Sequence, residues 1–172
     1  MLGSFPPPRN RWAMNFFYPN LNNDMWRILG LIFYQDKQYF CTEDRRSFKK
    51  EEIEQFLLKR GIALFDTASA IKRLKNNASD QFLEVIEPTD VKGLLQEILQ
   101  CNILVTTGKK ATETLQVQFE IEEPKIGSFV SFPYDEREMR LYRMPSSSRA
   151  YPLSIDKKAQ AYQKLFNEIG LL

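Results

Sequence analysis

The chain contains no histidine at any of its 172 positions. That removes every His-based catalytic triad, the commonest general base and the commonest zinc ligand, so any chemistry falls to carboxylates, amides, hydroxyls and lysines. Cysteine is almost as scarce. Cys41 and Cys101 lie far apart in no metal-ligand spacing, which argues against a disulfide framework and a structural metal site and leads us to expect an intracellular protein, cytoplasmic and nucleoid-associated if the host is bacterial. No apolar run approaches the ~20 residues that span a bilayer, and the opening residues lack the pattern of a signal peptide, so no membrane partner is expected. An excess of either charge is also missing. With 24 Lys and Arg against 22 Asp and Glu, the net charge of +2 permits a polyanionic partner but requires any basic footprint to be local. Gly108-Lys109-Lys110 lacks the spacing of a phosphate-binding P-loop and reads as a plain strand-to-helix turn.

What is present is enough apolar material for one sizeable core, 43% hydrophobic and 13% aromatic residues, with no repeat and no linker; we expect a single domain over residues 1–172. Leu2 to Phe5, cut off by Pro6-Pro7-Pro8, reads as the end of a strand, short enough to lead us to expect that it has lost, or never had, a few upstream residues. Apolar residues at 25, 26, 29, 32 and 33 predict a first helix, and a second runs from about Lys49 to Arg60, with Ser47 as its expected cap and Gly61 as its stop. Ile62 to Asp66 reads as a short strand, with Asp66 placed to cap a helical segment from Ala68 to Leu74, while Lys72, Arg73 and Lys75 form a basic face. A helix from Pro88 to Gln100, a buried strand from Asn102 to Thr107, a helix from Lys109, two strands across the turn at Tyr134-Asp135-Glu136, and a closing helix capped by Ser154 complete the chain.

Strand and helix alternate throughout. The fold class that follows is α/β, a three-layer α/β/α sandwich around a central, mostly parallel sheet of about four strands, with right-handed crossovers. In such sheets ligands bind beyond the carboxyl ends of the strands, so residues 5–23, Asp66, Gly108 and Met144 to Ala150 are expected around one cleft.

Two stretches carry the candidate chemistry. Met144-Pro145-Ser146-Ser147-Ser148-Arg149 follows a strand with a proline and three small hydroxyl residues, which suits a tight, anion-holding loop with exposed N–H groups. Phe16-Phe17-Tyr18-Pro19 with Asn20, Asn22 and Asn23 sets aromatics beside amides, able to stack on and hydrogen-bond a base, although the aromatics also suit a core and Asn23 also suits a helix cap.

These stretches resemble the uracil-DNA glycosylase superfamily, above all its thymine-DNA and mismatch-specific uracil-DNA glycosylase branch. Met144 to Ser148 is similar to that branch's DNA-gripping loop; Tyr18-Pro19, Asn23 and Trp26 sit at the spacing of its Tyr-Pro, Asn and Trp, and Gly3 and Pro6 fit its first motif. The order of intervening elements, with Leu64-Phe65-Asp66 and Thr107-Gly108, is similar to the hypoxanthine-DNA glycosylase branch. The resemblance implies a cofactor-independent, monofunctional glycosylase, working as a monomer on DNA that contains a damaged or mismatched base: uracil, hypoxanthine or mismatched thymine. It implies catalytic roles for Asn23 and Asp66, base contacts from the Ser4 and Phe5 backbone amides and from Phe17 or Tyr18, and phosphate contacts from Ser146, Ser147 and Ser148, with Arg149 at the gap left by the flipped nucleotide. Arg9, Arg11 and Arg143 are further phosphate candidates.

Two departures bear on this. Phe5 stands where thymine-DNA glycosylases carry a water-positioning Asn, which shifts that role to Asn23; and Arg149-Ala150 inverts the usual order of Ala and Arg. The alternative reading is a non-catalytic DNA- or nucleotide-binding module that keeps the cleft without the chemistry. A metal-dependent nucleotide hydrolase would need a carboxylate cluster that Asp66 alone does not supply.

Overall fold

The computed structural model describes residues 1–74 and 82–172, and the chain divides into two units, each assembled from separated stretches. Met1–Phe5 with Phe65–Met144 form one; Pro6–Leu64 with Pro145–Leu172 form the other. Lys75, grouped above with Lys72 and Arg73, lies outside the described residues.

The first unit is built on a five-stranded sheet. Its strands are β1 (Leu2–Gly3), β2 (Phe65–Asp66), β5 (Ile103–Thr107), β6 (Ser128–Tyr134) and β7 (Arg137–Met144), in the order β2-β1-β5-β7-β6. The first four neighbours run parallel, and β6 closes the edge antiparallel to β7. The hairpin between them turns on Asp135 and Glu136, at φ 50° and 61°, the left-handed pair that a two-residue hairpin requires. Two helices, α3 (Val91–Glu97) and α4 (Lys109–Phe119), belong to this unit. Val91 and Leu95 from α3 and Leu115 from α4 bury against Leu2, Leu104, Phe132, Met139 and Leu141 of the strands. The near-continuous burial of β5, from Leu104 to Thr107, is what a central parallel strand covered on both faces demands.

Three local expectations change. The segment from Ala68 is a strand, not a helix: β3 (Ala68–Arg73) pairs antiparallel with β4 (Leu83–Pro88). The N–H groups a cap at Asp66 would have served are already taken, Thr67 donating to Gly3 O at 2.8 Å and Ala68 to Ser4 O at 3.2 Å, so sheet pairing displaces the helix start. The predicted strand from Ile62 shrinks to Phe65–Asp66. The helix expected to Gln100 ends at Glu97, and Gly93 inside it leaves room for the cap: Asp90 accepts the Gly93 N–H at 2.9 Å, and a Cβ there would meet Asp90 Oδ2 at 2.5 Å and turn that side chain aside.

The second unit carries α1 (Met25–Tyr34), α2 (Lys50–Arg60) and α5 (Ile155–Glu168). Their apolar faces close on aromatics: Phe33 lies 4.9 Å from Phe56 and 5.5 Å from Phe166, and Phe40 lies 5.2 Å from Phe56, measured between ring centroids. Gly61 ends α2 in the left-handed conformation at φ 63°, as its sequence position predicts. Ser154 caps α5, accepting from Lys157 N–H. Ser47 does not cap α2; its hydroxyl instead donates to Ala13 O at 2.5 Å, fastening the 6–24 segment. Among the described residues no helix is long and apolar enough to cross a membrane.

Leu141 is fully buried in the core of the first unit. Leu141→Ala is expected to destabilise the protein by about 2–5 kcal/mol, read from the midpoint of urea unfolding.

Candidate functional site

The parallel register of the first unit sets its strand ends in a row. Gly3 pairs with Asp66, Leu2 pairs with Thr106, and Thr107 pairs with Met144, so Asp66, Gly3, Thr107 and Met144 lie side by side across β2, β1, β5 and β7. Ser4 and Phe5 continue β1 past that row, Ser4 buried and Phe5 half-buried. This is the carboxyl edge expected from the alternation, and within this unit it gathers Ser4, Phe5, Asp66 and Met144. Among the described residues no group of three or more Cys, Asp or Glu is placed to hold a metal ion.

The second unit brings together two stretches that are more than a hundred residues apart in sequence. Asn23 and Ser148 form an antiparallel bridge. On either side of it, Asp24 N–H donates to Ser147 O at 2.8 Å and Arg149 N–H donates to Asn22 O at 3.0 Å. The Asn23 side chain accepts the Met25 N–H on Oδ1 at 2.9 Å, so it does cap the first helix in part. Among the described residues its NH2 group makes no hydrogen bond, which leaves it a donor.

The serine loop differs from the open nest of N–H groups read from the sequence. Ser148 N–H donates to Ser146 Oγ at 3.2 Å and Ala150 N–H to Ser148 Oγ at 3.3 Å. With Arg149 N–H spent on Asn22, the three consecutive N–H groups of residues 148 to 150 are engaged within the unit, and the hydroxyl protons of Ser146 and Ser148 are among what the loop can offer outward. Ser147 is buried; Pro145 is held from behind by Tyr162, whose hydroxyl donates to Pro145 O at 2.9 Å. Complete burial raises the Tyr162 hydroxyl well above its ordinary value and keeps it a donor.

Asp24 ties these pieces together, and nothing in the sequence reading singled it out. Its carboxylate accepts from Arg149 Nε at 2.9 Å, with Lys158 Nζ at 3.6 Å and Arg27 at 3.8 Å. Arg27 also donates to the carbonyls of Leu21 and Asn23, and Lys158 donates to Ser148 O at 2.8 Å. Burial pushes the Lys158 ammonium below its ordinary range, Asp24 pulls it back up, and Arg149 adds to the lowering. A signal for Lys158 was present: it occupies the same face of α5 as Ala159, Tyr162 and Leu165, where a lysine requires a buried partner.

The aromatic segment packs on Trp26, which is fully buried and donates from Nε1 to Phe17 O at 3.2 Å. Phe16 lies 6.2 Å and Tyr18 6.0 Å from its ring, Phe16 meets Phe17 edge-on at 5.2 Å, and all three phenyl-bearing residues stay half-buried. Tyr18 adopts φ 46°, an uncommon backbone state for an aromatic residue and one that marks a constrained turn. Of the further arginines, Arg9 donates to Asn15 Oδ1 and lies 3.9 Å above the Trp12 ring, and Arg143 is ion-paired with Glu123.

No protein-family model and no curated protein sequence matches the chain. Among solved structures it is similar to a candidate uracil DNA glycosylase from Methanosarcina acetivorans, determined in solution by NMR: 21% identity, a TM-score of 0.61, over 98% of this chain and 88% of that one. The likeness shows the fold, mixed α/β around a central, mostly parallel sheet, with five strands where the sequence led us to expect about four.

Asp24 keeps Arg149 and Arg27 when Lys158 is removed, so Lys158→Ala loses chiefly the buried donor to Ser148 O and is expected to cost about 1–3 kcal/mol of stability, and Arg149→Ala, whose guanidinium is half exposed, about 0–1 kcal/mol. The pH dependence carries a matching signature. Because Lys158 holds its proton less tightly folded than unfolded, raising the pH toward 10.5 removes a cost of folding, so its contribution to stability rises across that window; urea titrations of Lys158→Met should lack that rise.

Proposed function

We propose that the chain is a monofunctional DNA glycosylase acting on DNA that contains uracil, hypoxanthine or mismatched thymine. One observation carries the reading: the direct pairing of Asn23 with Ser148, which joins the Tyr-Pro–Asn–Trp segment to the Met-Pro-Ser loop at the residues the resemblance selects. The structural likeness to a candidate uracil DNA glycosylase over nearly the whole chain supports it.

In this reading the target nucleotide leaves the stack, and the bond between C1′ and the base nitrogen lengthens until the sugar resembles an oxocarbenium ion. The electron pair of the broken bond leaves with the base as an anion that takes up a proton from solvent, while water bonds to C1′ through its oxygen and releases one proton to solvent, leaving an abasic site. Asn23 would direct the water through its NH2 group, since its Oδ1 is committed to the helix. Backbone donors at Ser4 and Phe5 would stabilise charge on the departing base, which makes the side chain at position 5 less critical. Asp66 would read N–H donors on the base or orient water. Phe17 or Tyr18 would stack on the base, Ser146 and Ser148 would donate hydroxyls to phosphates with Ser147, Met144 and Pro145 shaping their loop, and Arg149 would flank the vacated position. The reaction needs no cofactor, and the protein would work as a monomer.

Purified protein should release base from at least one duplex in a panel of uracil, hypoxanthine and mismatched thymine substrates. Asn23→Ala removes both the helix contact and the donor; Asn23→Asp keeps the acceptor for Met25 N–H and replaces the donor with a charged carboxylate oxygen. Both are expected to slow base release by about 10²–10³, the typical effect of losing one oriented donor, while Asn23→Asp keeps the unfolding midpoint nearer wild type. Salt-sensitive DNA binding with no abasic product on any substrate would leave the non-catalytic module as the better reading.

A further inference from the structure

A cavity of about 390 Å³ in the second unit is lined by Arg27, Lys37, Arg149 and Lys158 around a single carboxylate, Asp24, with Gln38 beside them. The serines of the neighbouring loop do not line it. Two of the cations are deep: the Lys158 side chain is 1% exposed and that of Arg27 9%, and both have Asp24 as their ionic partner. Four positive groups against one negative leave an excess of positive charge at a partly desolvated place, and such a charge stands at a cost until an anion completes it. Gln38 adds a second mark. Its Oε1 is buried without a hydrogen-bond partner, and its side-chain amide lines the cavity with N–H donors that an anion can accept from. Lys37 is exposed at the rim and makes no ion pair among the described residues, so its charge is open to a ligand.

We infer that this cavity binds a phosphate group, held by Lys37 and Arg149 at its mouth and by the Gln38 amide, with Arg27 and Lys158 supplying field from behind. The group is a backbone diester of DNA, which rests on the glycosylase reading, or a free phosphate, which does not. A tetrahedral dianion or diester monoanion suits the site better than a carboxylate, because the donors approach from separate elements and do not form one planar fork.

Inorganic phosphate is titrated into the full-length chain and followed by the NMR shifts of the Gln38 side-chain amide, while anisotropy of an undamaged labelled duplex is measured across a range of salt concentrations. The variants are Lys37→Ala and, as a control that removes the same charge elsewhere on the surface, Lys59→Ala. Wild type should show a saturable phosphate response. Lys37→Ala should weaken it and lower the slope of log K against log salt for the duplex by about 1, with Lys59→Ala changing neither. Loss of phosphate affinity with duplex binding untouched assigns the site to free phosphate. No saturable response in wild type, or equal phosphate constants in wild type and Lys37→Ala, overturns the inference. Neither readout depends on base release, so a chain that binds phosphate here but excises nothing would sink the glycosylase reading alone.

Discussion

One buried carboxylate organises the second unit. Asp24 collects Arg149, Lys158 and Arg27, and each of those cations also grips backbone: Arg149 through its own N–H on Asn22, Lys158 on the Ser148 carbonyl, Arg27 on Leu21 and Asn23. Two loops with no regular pairing of their own thus become one short antiparallel patch. Burying charge for this purpose is costly, and an apolar replacement of similar volume would often be at least as stable. What the ionic version adds is register. An aliphatic contact tolerates a slip of one residue, whereas a carboxylate facing three donors of fixed reach does not. Asn23 is held at Ser148 by that constraint more than by any hydrogen bond of its own.

The same constraint limits what the loop can do. Its backbone donors at Ser148, Arg149 and Ala150 are engaged within the unit, so outward chemistry there falls to hydroxyls, which rotate, and to Arg149, which already holds Asp24. A guanidinium cannot hold Asp24 through Nε and at the same time extend away from the protein at full length. A contact that draws Arg149 out from the protein is therefore in competition with Asp24, whereas its terminal NH2 groups can meet a ligand in the cavity with Nε still on Asp24, and Lys158 and Arg27 are the charges that keep Asp24 satisfied when Arg149 is away.

Much of this was legible in the sequence, and the parts that were not share a cause. The amphipathic helices around Trp26 and Tyr162, the hairpin at Asp135, the buried strand at Val105 and the stop at Gly61 all follow from local periodicity and turn chemistry, which a sequence displays directly. Ala68 to Arg73 misled because a carboxylate before small residues looks like a helix start, and the sheet that claims those N–H groups involves Gly3 and Ser4, more than sixty positions earlier. Ser47 misled in the same way, its hydroxyl being drawn to Ala13. The site divides likewise. Asn23 and the serine loop stand out as residue types in a pattern, whereas Asp24 reads as an ordinary first-turn acid, and its importance exists only once Arg149 and Lys158 are folded beside it. Lys158, a cation on an apolar helix face, was the one local clue.

The interleaving of the two units has a consequence for how the protein is made. Asp24 is separated from Arg149 by 125 positions, and the stretch between them includes most of the other unit. At a synthesis rate of about 5–20 residues per second, the segment around Asp24 leaves the ribosome several seconds before its partners exist. Throughout that interval α1 and α2 carry apolar faces that lack α5, and a buried-to-be carboxylate stands in water with no cation but Arg27 at hand. The nascent chain thus waits on its own last stretch, and the loops proposed to meet DNA are among the final parts to take shape.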